Sequence, residues 1–105
     1  MGTLTGAQRK HLRGLAHDFR PAVYIGKEGL SDAVVRSIDL AIEANELIKV
    51  KIAADRDARA ELVPVIEERT NSECVGAVGH MAILYRRNPD PEKRRVELPE
   101  AKQQT

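Results

Sequence analysis

The residues best placed to do chemistry in this chain are Gly26, Lys27, Glu28 and Gly29. They follow a short apolar run, Ala22-Val23-Tyr24-Ile25, and precede a helical pattern that Ser31 is suited to cap. Two glycines three positions apart around a lysine serve one of two ends. The first is a strand-to-helix turn that needs a positive φ, which glycine adopts without steric cost. The second is a cradle for phosphate. The free N–H groups and positive dipole end of the following helix attract anions. Glycine lets a sugar-phosphate backbone come close with no Cβ in the way, and Lys27 adds a mobile charge. Glu28 opposes that charge.

Two further groups could extend such a site. Arg9, Lys10, Arg13 and His17 fall together on one flank of a predicted helix. They read either as a solvated face or as a phosphate-facing one. As solvated positions, Arg9, Lys10 and Arg13 should be replaceable by alanine with little loss of stability. Lys49 and Lys51 alternate with Ile48, Val50 and Ile52, so they form the wet face of a strand or part of the same binding surface.

Familiar catalytic and metal-binding patterns are missing. His11, His17 and His80 make no zinc spacing with Cys74. There is no G-x-S-x-G, Walker or G-x-G-x-x-G sequence. No enzyme, metal or cofactor is expected.

The elements that must position these residues follow from periodicity and caps. Thr5 to Ala16 reads as a helix, with capping-box spacing between Thr5 and Gln8 and an apolar stripe of Leu4, Leu12, Leu15, Ala16 and Phe19. Asp32 to Asn45 is the second helix. Leu47 to Ile52 is a strand, parallel to Ala22–Ile25 through a right-handed crossover. A third helix is expected over about Asp57 to Thr70. Pro64 predicts a kink or a late start there, since proline inside a helix costs about 3 kcal/mol. Glu73–Val78 and Met81–Arg86 form a hairpin through Gly79-His80. Residues 1–87 make one domain. Residues 88–105 read as an extended, partly disordered tail in which Arg95-Val96-Glu97-Leu98 is able to dock as a short edge strand.

The chain has 105 residues, a formal net charge of +1, 42% hydrophobic and 3% aromatic residues. That suits one modest core of Leu, Ile, Val and Ala. Bulk charge is a weak argument for nucleic acid, but its distribution is uneven. Arg9, Lys10, Arg13, Arg20 and Lys27 lie early, the middle is acidic, and Arg86-Arg87 and Lys93-Arg94-Arg95 lie late. One basic face is therefore possible on a nearly neutral chain. A single cysteine and an N-terminus without the marks of a signal peptide point to a reducing cytoplasm.

Four blocks carry a resemblance across nearly the whole chain: "LTGAQRKHLRGLAH" (Leu4–His17), "PAVYIGKEGLSDAVV" (Pro21–Val35), "ELIKVKIA" (Glu46–Ala53) and "ILYRR" (Ile83–Arg87). In that order they resemble the CRM domain family, in particular its stand-alone bacterial YhbY-like members. The resemblance implies an α/β (α+β, two-layer) fold, helices on a four-stranded mixed sheet in the order α-β-α-β-α-β-β. Such a fold is similar to the C-terminal domain of translation initiation factor three. The resemblance also implies an RNA-binding protein associated with precursors of the large ribosomal subunit. Its loop would act as KH-type G-x-x-G loops do, clamping a nucleic-acid backbone. The resemblance carries RNA binding over to Gly26, Gly29, Lys27, Arg9, Lys10 and Arg13; Glu28, within the loop, and His17, Lys49 and Lys51 complete the expected RNA-binding set on the residue pattern, in a monomer. With few aromatic residues, backbone and shape would dominate recognition. A small-molecule anion or nucleotide site, and a protein-docking adaptor using the acidic middle and the tail, remain the alternatives.

Overall fold

A computed structural model describes residues 4–100. Each helix begins where a side chain can satisfy its free amides. In α1 (Gly6–Ala16), Thr5 accepts from Gln8 N and the Gln8 side chain accepts from Thr5 N, completing the capping box. In α2 (Asp32–Asn45), the Ser31 hydroxyl accepts from Val34 N at 3.2 Å. In α3 (Arg56–Thr70), Asp55 accepts from Ala58 N at 2.8 Å, and Asn71 ends the helix in the left-handed region at φ 51°. The helix does not start late because of Pro64. It runs through that residue, and the missing N–H leaves the carbonyl of Ala60 without its helical donor; both residues are exposed.

The strands are β1 (Pro21–Ile25), β2 (Leu47–Ile52), β3 (Glu73–Val78) and β4 (Met81–Tyr85). They form one mixed sheet in the order β1-β2-β4-β3. β1 runs parallel to β2, and β4 is antiparallel to both of its neighbours. The element order and mixed sheet are those expected from the sequence.

The helices divide between the two faces. Val23, Ile25, Ile48, Val50, Ile52, Ala82 and Leu84 point to one side and pack against Ile38 and Ile42 of α2 and Ile66 of α3. Leu47, Val75, Ile83 and Tyr85 point to the other, where Leu12 and Ala16 of α1 cover them together with Leu4, Val96 and Leu98. Leu15 and Phe19, expected on the buried stripe, are 43% and 41% exposed. The buried apolar contact of α1 with the sheet is made by Leu12 and Ala16, so its apolar stripe is narrower than the sequence run suggests.

The C-terminal segment is held rather than loose. Residues 95–98 form no strand. After a single 3-10 turn at Pro91–Lys93, the chain is fixed by Glu46. That residue lies between α2 and β2 with φ 64° and a fully buried side chain. Its carboxylate accepts from Asn88 N (2.6 Å), Arg95 N (2.6 Å) and Val96 N (2.9 Å). Gln8 Nε2 then donates to Pro99 O at 2.7 Å. Residues 88–100 therefore belong to the folded unit, and the boundary expected at residue 87 separates nothing that the structure describes. Residues 1–3, part of the N-terminus read for a signal peptide, and the last five residues of the tail lie outside the described part.

Glu46→Ala should destabilise the protein by about 3–5 kcal/mol, since it orphans three amides that the carboxylate now satisfies. Chemical denaturation checks this, and proteolysis of the native variant should cut first within residues 88–100. Tyr85 offers the opposite case: its hydroxyl is buried without a partner. Tyr85→Phe should be neutral or stabilising by up to about 1 kcal/mol. Burial, and then the Glu46 carboxylate, push the Tyr85 hydroxyl above its ordinary range. Burial first of all pushes the Cys74 thiol up as well. Both groups hold their protons more tightly in the folded state. Their contribution to stability is intact below about pH 9 and is lost as pH rises further, which denaturation midpoints measured from pH 7 to 11 will show.

Candidate nucleic-acid interface

The loop after β1 is closed by a bond from Gly29 N to Gly26 O at 3.0 Å, with Lys27 and Glu28 at its tip. Gly29 has φ +78°, where a side chain is strained. The fold itself therefore explains that glycine. Gly26 is different. Its φ is not positive, and a Cβ placed on it meets nothing within 4 Å. Neither strain nor packing requires glycine at position 26. Lys27 and Glu28 are exposed, and among the described residues neither forms an ion pair.

The loop does not stand alone at its edge of the sheet. Ala53 N donates to Ile25 O, and Ile52 N donates to His80 O. The loop, the β2–α3 connection and the β3–β4 hairpin thus lie side by side.

Below this edge, the face that carries α1 is arranged in rows by the strand register. Leu47 pairs with Tyr85, Lys49 with Ile83, and Lys51 with Met81. Ile83 pairs on with Gly76, and Met81 with Val78. α1 and the C-terminal segment cover the rows nearer Leu47. The row nearest the loop is open: Tyr24 is 63% exposed and Val78 72%. Lys51 Nζ sits 5.6 Å from the centre of the Tyr24 ring, a cation–π distance. Lys49 Nζ donates to His17 O at 2.9 Å, tying the second row to the end of α1. Tyr24, Met81 and Val78 were missed by sequence reasoning. Their shared row with Lys51 depends on register, and the alternation of β2 is the only local hint of it.

The basic flank of α1 is only partly free. Arg9 forms an ion pair with Glu73 and donates to Cys74 O at 3.0 Å. Arg13 donates to Val75 O at 3.0 Å. Its aliphatic stem lies on Gly76, where a Cβ would sit 2.5 Å from Arg13 Cδ. These two arginines tie α1 to β3 through some of their donors, while Arg13 stays exposed and Arg9 half-buried. An exposed edge strand has carbonyls to satisfy, and a helix laid across it satisfies them with long cationic side chains. Lys10 and His17 remain exposed. β3 and β1 are the two outer strands, so the Arg9–Arg13 flank stands about 14 Å across the sheet from the strand that carries the loop, at ~4.8 Å per strand. Lys49 and Lys51 of β2 lie between them, and Tyr24 stands on β1 itself.

Among the described residues, no cluster of His, Cys, Asp or Glu could hold a metal ion, and no helix is long and apolar enough to cross a membrane.

Comparison with known proteins gives concordant matches. The model of the CRS1 / YhbY (CRM) domain matches residues 4–86. A Haemophilus influenzae protein named "RNA-binding protein" is 38% identical over 94% of this chain and 98% of its own length. The Bacillus subtilis "Probable RNA-binding protein YqeI" is 32% identical over 91% and 99%. The solution structure of SAV1595 from Staphylococcus aureus superposes with a TM-score of 0.80 at 38% identity, covering 92% of this chain and all of that one.

The division of labour on α1 is open to a stability test. Arg9→Ala and Arg13→Ala should each cost about 1–2 kcal/mol, through lost hydrogen bonds to β3 carbonyls and lost packing. Lys10→Ala should stay within about 0.5 kcal/mol. Equal, small effects in all three denaturation curves would mean that the β3 anchor contributes nothing.

Proposed function

We propose that this chain, which belongs to the CRS1 / YhbY (CRM) domain family, is a non-enzymatic RNA-binding protein that grips a sugar-phosphate backbone at the Gly26–Gly29 loop. The observation that carries this reading is Gly26. The fold gives it no reason to be glycine, whereas an approaching phosphate backbone does. Relatives named as RNA-binding proteins over nearly their full lengths support the partner.

The path of the strand follows from what is free. Lys27 stands at the loop tip, Lys51 and Tyr24 in the open row, Lys49 and His17 in the next, and Lys10 on the exposed side of α1. Glu28 turns away from the phosphate. Arg9 and Arg13 position α1, and reach RNA only with the donors that β3 leaves them. Tyr24 supplies one stacking surface, so recognition rests on backbone and shape with a modest base preference. The target we assign is ribosomal RNA of large-subunit precursors, bound in the cytoplasm by a monomer that needs no cofactor.

Binding of a single-stranded RNA followed by fluorescence anisotropy tests this. With Lys10, Lys27, Lys49 and Lys51 on phosphates, log K should fall with log[salt] at a slope of about −3, from ~0.7 per contact. Gly26→Ala should weaken binding severalfold and leave the fold as stable or about 0.5 kcal/mol more so, because the unfolded chain loses freedom. Lys27→Asp should weaken binding by about 1–3 kcal/mol with under ~0.5 kcal/mol lost from folding. Full affinity in both variants would move the binding face away from the loop.

A further inference from the structure

A groove of about 440 Å³ opens at the same edge of the sheet, between the start of α3 and the β3–β4 hairpin. Its floor is apolar, with Ile52, Val63, Ala77 and Ala82 among its residues, and its rim carries Arg56, Arg59 and His80. That size falls within the range of small-ligand sites. The mix of an apolar floor and a cationic rim matches a nucleotide, whose base is flat and apolar on its faces and whose phosphate is anionic.

Two features of the rim lack an internal explanation. Arg56 and Arg59 occupy the first turn of α3, where the helix dipole disfavours cations. Among the described residues Arg56 takes part in no ion pair and no side-chain hydrogen bond. The second feature is Arg59. Its Nη1 donates to Ala54 O at 2.6 Å and lies 3.2 Å from His80 Nδ1, which is able to accept because Ile52 O already accepts from Ala54 N. Among the described residues its Nε and Nη2 make no hydrogen bond, and an anion at the rim supplies an acceptor for them.

We infer that this groove takes one unpaired nucleotide of the RNA strand held by the Gly26–Gly29 loop, its phosphate on Arg56 and Arg59 and its base over the floor beside Val63. The inference rests on the RNA-binding reading above. The geometry favours one continuous strand, because the bonds from Ala53 N to Ile25 O and from Ile52 N to His80 O put the loop and the hairpin on one edge. The separation is about two strand spacings, roughly 10 Å.

The test is an NMR titration of the full chain with a single-stranded RNA oligonucleotide, followed at the amides of Gly26–Gly29 and of Gly79–Met81, with Arg56→Glu and Lys27→Asp as variants. Both sets of amides should shift in the unaltered chain. Arg56→Glu should abolish the shifts at Gly79–Met81 and keep those of the loop, lower affinity about tenfold, and reduce the salt slope by ~0.7. Loop shifts with silent Gly79–Met81 amides, or an Arg56→Glu variant that binds like the parent, overturn the groove and leave the loop reading intact. No shift anywhere and no salt-dependent binding overturn both. Saturation of the groove by adenosine monophosphate at lower concentration than by RNA would make it a free-nucleotide site and overturn its assignment to the strand.

Discussion

The carboxylate of Glu46 is the constraint through which both ends of the described chain are fixed. A buried charge is costly unless its lone pairs are filled, and among the described residues Glu46 forms no ion pair. It is satisfied by three backbone amides from Asn88, Arg95 and Val96, while its own carbonyl accepts from Arg86 N at 2.9 Å. Those bonds dictate where the chain goes after β4. Val96 and Leu98 are thereby laid on the face that also receives α1, and Pro99 O meets Gln8 of the first helix. Without that cover, Tyr85 and Leu47 would face solvent beside α1. Placement of the open row follows, because the cover stops short of Tyr24 and Lys51.

The sheet divides its two faces by chemistry. One is apolar throughout and sits beneath α2 and α3. The other is apolar only where α1 and the C-terminal segment reach, and turns aromatic and basic toward the loop. Elsewhere Arg69 of α3 pairs with Asp32 of α2, and Arg86, after β4, with Asp39 of α2. The net charge of +1 averages over the whole chain and not over the face that carries Lys49 and Lys51.

Elements specified by local signals were legible in the sequence. The capping box at Thr5, the Ser31 cap and the alternation of Leu47–Ile52 each involve residues within a few positions of one another. What depended on distant partners was not. Arg9 and Arg13 have the spacing of a solvated flank, and only the approach of β3 turns them into anchors. Glu46 looks like one more surface carboxylate of an acidic stretch, until Asn88, Arg95 and Val96 are brought to it. Leu15 and Phe19 belong to an apolar stripe whose width the sequence cannot set, because the neighbouring surface decides how much of it is buried. Of the site, the loop was legible from its two glycines, while the row of Tyr24, Lys51, Met81 and Val78 required the register of three strands.

Several local rules are broken where the fold gains nothing from breaking them. Gly26 is glycine without strain or crowding. Tyr24 stands exposed between buried Val23 and Ile25, and Val78 is exposed at the end of β3. Arg56 and Arg59 crowd the wrong end of a helix dipole. Each is a small cost, relieved inside the chain only in part: Arg59 donates to Ala54 O, and Lys51 lies over the Tyr24 ring. Other departures are compensated within it: Gly29 meets a positive φ, Gly76 makes room for Arg13, and Glu46 is fully hydrogen-bonded. Gly14 of α1 and the exposed Leu40 of α2 are open as well and lie away from the loop. Sequences that specify one structure violate local preferences chiefly at functional sites. Gly26, Tyr24, Val78 and Arg56 gather where the loop, the β2–α3 connection and the hairpin meet, and the RNA strand proposed above, anionic and partly apolar, would relieve these four together by lying along that edge.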